Sequence, residues 1–296
     1  MIDSFRPLPR SLVDVILPPS GYDDAMAAGD TTDALRDACG SASRKFPRSW
    51  EINPSEWDEV ARENDRNRTW GMNYLDRYTN QSPTHECTAH SLVRNAEAAR
   101  NRHRAVIYKD GPKASQGRYD TSGPAGSVWL SPLSVYPEAN PGQWGGANVR
   151  QVLEIACRRG MLPDTTQPRD YGFRHAIHGT SGKGNANQSG GRWLPLSQFP
   201  DGWQETAKLF KPLEVIFPES YEEAVCCVLR GLLVSVGRNG HAVPWAQWMA
   251  GERAMAYPDS YDVVRYDSER TARSAWRGSF AIVTMTTPDN WNDPAS

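Results

Sequence analysis

The stretch Asn80-Gln81-Ser82-Pro83-Thr84-His85-Glu86-Cys87-Thr88-Ala89-His90-Ser91-Leu92-Val93 sets a glutamine six positions before a cysteine that opens a helical pattern. From Cys87 to Arg104 the residues Ala89, Leu92, Val93, Ala96 and Ala99 recur at helical spacing, which predicts a buried central helix. A cysteine at the first position of a helix lies where the backbone dipole favours thiolate. Far downstream, Gly231-Leu232-Leu233-Val234-Ser235-Val236-Gly237-Arg238-Asn239-Gly240-His241-Ala242-Val243 places His241 on or beside a strand. A histidine can accept the proton of such a thiol. A glutamine amide just upstream can donate a hydrogen bond to a developing oxyanion. Cys87, His241 and Gln81 are therefore the parts of a thiol acyl-transfer site, provided the fold brings them together.

Several further segments extend this pattern in chain order. Trp129-Leu130-Ser131 is followed by Gln143-Trp144-Gly145-Gly146, then by a helical run from Ala147 that ends in Arg158-Arg159-Gly160. Ser220-Tyr221-Glu222-Glu223-Ala224 begins a helix that leads through Gly231 into the strand before His241. On these motifs the chain resembles the papain-like cysteine peptidases over residues from about 46 to 283. The resemblance implies an α+β, papain-like fold with a helical half and a β-barrel-like half, the active-site cleft lying between them. It implies Cys87 as nucleophile, His241 as base, Gln81 as oxyanion donor, and Gly145 and Gly146 as backbone partners of a bound peptide.

The departures are informative. Secreted members of the family carry a cysteine three residues before the nucleophile, bonded to one just before the Gly-Gly turn; here those positions are Thr84 and Gln143. The tryptophan usually following the nucleophile is Thr88. The Asn-Ser-Trp-Gly motif is absent. By distance after His241, its place falls to Asp259-Ser260-Tyr261-Asp262. A carboxylate can orient an imidazole as an amide does, so Asp259 is the candidate orienter. The competing reading is that Asp259, after Pro258, is only a turn residue, and that Asn239 or no residue serves instead. The pattern is nearer to bacterial and phage-encoded relatives than to lysosomal ones.

Composition sets the outer bounds. The chain has 296 residues, a net charge of −2 and 39% hydrophobic residues. Mean hydropathy is −0.64, polar for its size, yet Trp, Tyr, Leu and Val are too abundant for a disordered chain. Mixed charges give no nucleic-acid surface, and no apolar run spans a bilayer. The amino-terminus lacks signal-peptide character. The five cysteines, Cys39, Cys87, Cys157, Cys226 and Cys227, are an odd number. The expectation is a reduced chain made in a cytoplasm, with Cys226 and Cys227 as small core residues.

Residues 1–45 read as an amino-terminal extension or arm, rich in Pro, Asp and Ala, and residues 46–290 as the papain-like domain. Within it a helical subdomain is expected over about 78–170 and a β-rich one over about 195–285. Helices are expected over Asn53–Asn67, Cys87–Arg104 and Asn148–Arg159, the last closed by Gly160. Strands are expected at Leu232–Val236, His241–Met249, Arg253–Tyr257 and Ser279–Met285. Lys109–Gly126 and Gly172–Gly191 read as polar loops. Gly182-Lys183 in the latter lacks Walker spacing.

His85 and His90 flank Cys87 and read as surface or cleft-lining, with His90 on the same helix face as the cysteine. His175 and His178 have a metal-like spacing but no second ligand pair, so neither metal nor cofactor is expected. Trp245, Trp248 and Trp276 read as core or as a shield for the site. The functional expectation is a thiol hydrolase acting on a peptide or protein substrate. The alternative is an inactive papain-fold assembly protein of a phage virion, docking partner subunits through residues 1–45. A cross-linking acyltransferase would use the same thiol.

Overall fold

In this computed structural model the described residues are 36–37, 39–75, 86–107, 130–140, 146–164, 196–238, 240–260, 263–276 and 278–286. Eight strands form among them: β1 (Ser43–Lys45), β2 (Pro212–Phe217), β3 (Val234–Arg238), β4 (His241–Trp245), β5 (Gln247–Met249), β6 (Ala254–Asp259), β7 (Val263–Ser268) and β8 (Ser279–Met285). The helices that matter for the site are α1 (Trp57–Asn67), α2 (Cys87–Ile107), α3 (Tyr136–Ala139), α4 (Val149–Arg159), α5 (Trp203–Lys208), α6 (Tyr221–Leu229) and α7 (Glu269–Ala275). The architecture is α+β, as expected.

The strands make two sheets. One has the order β1-β2-β8-β3-β4, the other β5-β6-β7. Only the β1–β2 pairing is parallel. Side chains alternate across a strand, and here the alternation separates two cores. Val215, Phe217, Phe280, Ile282 and Ala242 face the core that contains Cys87, Leu92, Val93 and the apolar side of α4. Ile216, Ala281, Val236, Val243 and Trp245 face the other, with Tyr221 and Val225 of α6, Trp57 and Ala61 of α1, and Trp248 and Tyr257 of the small sheet.

No closed barrel forms among the described residues; both sheets are open, and helices cover both faces of the larger one. The physical reason lies at Ala246. The expected single strand His241–Met249 breaks there, and the Ala246 amide bonds the Ala256 carbonyl at 3.0 Å. The chain thereby leaves β3 for β6, turning a corner between sheets. Ser43–Lys45 pairs residue by residue with Val215–Phe217, so the segment before residue 46 contributes an edge strand to the domain. Residues 1–35 lie outside the described residues.

Helix α2 is buried on every side from Cys87 to Asn101. The expected apolar stripe is in the core, and several of the buried polar side chains have specific partners. Ser91 Oγ donates to Ser235 Oγ at 3.0 Å. Asn95 Nδ2 donates to the Leu233 carbonyl at 3.0 Å, and Asn95 Oδ1 accepts from the Ile282 amide at 2.9 Å. Glu97 accepts from the Leu130 amide at 2.6 Å. One helix is thus tied to β3 and β8 by its own side chains.

Helix α4 begins with a capping box at Asn148, whose side chain accepts from the Gln151 amide. It ends at Gly160, φ 89°, where a Cβ would lie 1.9 Å from the Ala207 carbonyl oxygen. Only glycine fits that contact.

Helix α1 is shorter than expected, starting after a turn at residues 54–56. Its Trp57 meets Trp248 edge-on at 5.2 Å, and Trp248 Nε1 donates to Asp58 at 2.9 Å. Trp245 and Trp248 are therefore core residues of the second hydrophobic cluster that join helix to sheet, and Trp276 Nε1 donates to Ser279.

Candidate active site

Cys87 is the first residue of α2, and His241 is the first residue of β4. Helix α2 packs against β4, so the two motifs that lie far apart in sequence meet. The Cys87 side chain lies close enough to the His241 ring to act on its protonation through a hydrogen bond and charge. On its other side His241 Nε2 lies 2.9 Å from Asp259 Oδ1. Asp259 ends β6, which lies against β4. Of the candidate residues, Cys87, His241 and Asp259 are brought together in one chain of contacts.

The Asp259 carboxylate is buried, 3% exposed, and it needs compensation there. It has three sources. The Ser260 amide donates to Oδ1 at 2.7 Å. His241 shares the same oxygen. Arg265 Nε lies 2.6 Å from Oδ2. Arg265 stands opposite Tyr257 in the β6–β7 ladder, which makes Asp259 its diagonal neighbour on one face.

The electrostatics follow from these contacts. Burial alone would push His241 below its ordinary value. The Cys87 charge, the hydrogen bonds to Asp259 and Cys87, and the Asp259 charge outweigh that and raise it to about 10. Burial pushes Asp259 upward, but the His241 hydrogen bond and charge, with Arg265 and the Ser260 amide, bring it below the usual carboxylate value.

The surroundings of the thiol differ from expectation at His90. It is buried, 1% exposed, rather than at the surface or lining a cleft, and its Nε2 lies 3.5 Å from Glu86 Oε2 one turn back. Glu86 is the residue before Cys87 and is buried as well. Tyr136 of α3 lies close enough to feel both Glu86 and Cys87, and its phenol, pushed up chiefly by burial, accepts from Asn140 at 3.0 Å. Cys87 itself is 1% exposed, while the His241 side chain keeps 14%.

Gln81 and Gly145 lie outside the described residues, as do His85, Asn239, His175 and His178. Gly146 is half-buried, two positions before the Asn148 cap of α4. No group of three His, Cys, Asp or Glu side chains among the described residues could hold a metal ion. No described helix is long and apolar enough to cross a membrane.

Sequence reasoning missed Arg265, because β7 was not recognised as a strand. The Val263-Val264-Arg265-Tyr266 run has the β-branched and aromatic content that could have revealed it. It also missed the Glu86–His90 pair, although their i,i+4 spacing is visible once the helix start is known.

No family profile matches the sequence, and no curated protein matches it at significance. Solved structures do. Xylellain, a cysteine protease from Xylella fastidiosa, is similar with 12% identity and a TM-score of 0.47, covering 72% of this chain and 83% of that one. Digestive procathepsin L 3 of Tenebrio molitor larval midgut is similar with 8% identity and a TM-score of 0.43, covering 73% and 67%. Recombinant stem bromelain precursor has 12% identity and a TM-score of 0.40, covering 81% and 74%. At TM-scores below 0.5 these likenesses leave the chemistry to be argued from the site itself.

Proposed function

We propose that the protein is a papain-like thiol hydrolase cleaving peptide or amide bonds through Cys87. The observation that carries this is the contact chain Cys87–His241–Asp259 at a helix N-terminus. A thiol, an imidazole and a carboxylate in this order give a nucleophile, a proton shuttle and an orienter.

With Nε2 committed to Asp259, Nδ1 is the nitrogen left to receive the thiol proton. The thiolate attacks the substrate carbonyl carbon, and the negative charge moves to the carbonyl oxygen. The Cys87 backbone N–H, at the positive end of α2, is one donor for that oxygen. Gln81 is assigned as the second donor from its sequence spacing. The imidazolium then gives its proton to the leaving amine as the C–N bond breaks. A thioester remains on Cys87. His241 takes a proton from water, which adds to the thioester carbonyl, and the thiolate leaves. Gly145 and Gly146 are proposed to hold the peptide backbone by hydrogen bonds.

The test is a peptidyl vinyl sulfone probe with mass-spectrometric mapping, alongside turnover of a fluorogenic peptide amide library. Labelling at Cys87 that is lost in His241→Ala, together with turnover, supports the reading. Absence of labelling in folded protein overturns it. Labelling without turnover of any amide would point instead to an acyltransferase or to the structural use of the fold.

A further inference from the structure

Two cysteines outside the Cys87 site lie against each other. The Cys39 and Cys157 sulfurs lie 3.0 Å apart in a thiol–thiol hydrogen bond, closer than unbonded sulfurs at van der Waals contact. Cys39 precedes the short turn Gly40–Ala42 that leads into β1. Cys157 is on α4. Each is 6% exposed and belongs to the core on the α2 side of the sheet. Both are free thiols. The two anchors are independently held: β1 by its ladder with β2, and α4 by packing on α2.

We infer that Cys39 and Cys157 are a modification site, which closes to an intramolecular disulfide by exchange with a low-molecular-weight disulfide such as glutathione disulfide. One protein thiol loses its proton and attacks a reagent sulfur. The reagent S–S bond breaks, a glutathione thiolate leaves, and it takes up the proton. The second protein thiol then attacks the protein-side sulfur of the mixed disulfide and expels the second glutathione. The protein loses two electrons and two protons, and the reagent gains both. The resolving thiol is already in contact, so closure competes well against a second mixed disulfide.

The other cysteines are committed elsewhere. Cys87 faces His241. Cys226 exchanges contacts with the Ile52 backbone, and Cys227 faces the opposite core. The Cys157 hydrogen bond and burial hold the Cys39 proton tightly, so exchange in the native state is slow and proceeds through local opening of the amino-terminal segment. Once formed, the bond ties that segment to α4 and closes a long loop in the unfolded chain, which raises stability.

The test equilibrates the full chain, and separately its Cys87→Ala variant, across a series of glutathione redox buffers. Samples are acid-quenched, blocked with N-ethylmaleimide, digested without reduction and mapped by mass spectrometry. The expected result is one linked peptide pair, Cys39 to Cys157, in both proteins, with loss of two thiols per chain and reversal by dithiothreitol. The oxidised chain should show a higher denaturation midpoint than the reduced one, a gap that disappears in Cys157→Ser. Because Cys87→Ala serves equally, a failed hydrolase reading leaves this test intact. Persistence of both thiols under oxidising buffer, or stable glutathione adducts on both without closure, overturns the proposal. If Cys157→Ser fails to fold, the mapping of the unsubstituted chain decides alone.

Discussion

Arg265 Nε lies 2.6 Å from Asp259 Oδ2, while His241 Nε2 lies 2.9 Å from Asp259 Oδ1. Each carboxylate oxygen thus has its own cationic or protonated partner. Where an amide would orient the histidine without charge, this chain uses a carboxylate and sets an arginine behind it. Imidazole, carboxylate and guanidinium thus follow one another, with the Cys87 side chain on the other side of the ring.

Removing the guanidinium should therefore matter through Asp259. Arg265→Met is expected to leave a less compensated buried carboxylate, raise the proton affinity of Asp259 and reduce kcat by roughly ten-fold. Adding Asp259→Asn to Arg265→Met should recover part of that loss, since a neutral amide needs no counter-charge. Steady-state kinetics on the two single variants and the double variant check this; strict additivity would count against the pairing.

Asp259→Ala should cost on the order of 10²-fold or more in kcat with the fold retained, because the imidazole loses its orienting partner. The alkaline limb of the kcat/KM profile, set by His241 losing its proton at about 10, should move to lower pH, since two of the interactions that raise it come from Asp259. An unmoved limb would remove Asp259 from the site.

Stability should depend on pH with a definite sign. The folded His241 keeps its proton up to about 10, whereas an unfolded histidine releases it near 6.5. Its contribution is complete below the unfolded value and is lost as pH rises through the folded one. Asp259, lowered in the fold, contributes above the unfolded carboxylate value and loses that contribution as pH falls through its lowered one. Urea midpoints measured across pH should fall between about 7 and 10 in the parent protein, and this alkaline fall should flatten in His241→Ala.

Alkylation should pick out Cys87. Burial pushes the thiols of Cys226 and Cys227 up, and Cys39 is held up by Cys157, while Cys87 has a proton acceptor in contact. At mildly acidic pH a short iodoacetamide pulse should label Cys87 ahead of the other four, with His241→Ala removing the preference. Equal rates at all five would argue against an activated thiol.

Asn95 carries the seam between α2 and the sheet. Asn95→Ala leaves the Leu233 carbonyl and the Ile282 amide without their side-chain partner and should destabilise the fold by about 2–3 kcal/mol, read from denaturant unfolding. Asn95 lies two turns along α2 from Cys87, so turnover in the folded fraction should change far less than stability.

The local signals were legible in the sequence because they are short-range. The start of α2 at Cys87, its apolar stripe, the Gly160 stop of α4 and the strand at Ser279–Met285 follow from periodicity and end chemistry, while the helix at Tyr221–Leu229 was read from the family resemblance. Asp259 was nominated through the resemblance to the papain-like family, from its distance after His241. Tertiary structure decided what depends on pairing between distant strands. It sent β4 from one sheet to the other at Ala246, set Ser43–Lys45 beside β2, brought Arg265 behind Asp259 and seated Cys39 on Cys157. None of these has a local signature, because a contact across a ladder or between a turn and a helix costs nothing in either segment alone. It is set by which faces the folded chain must bury together.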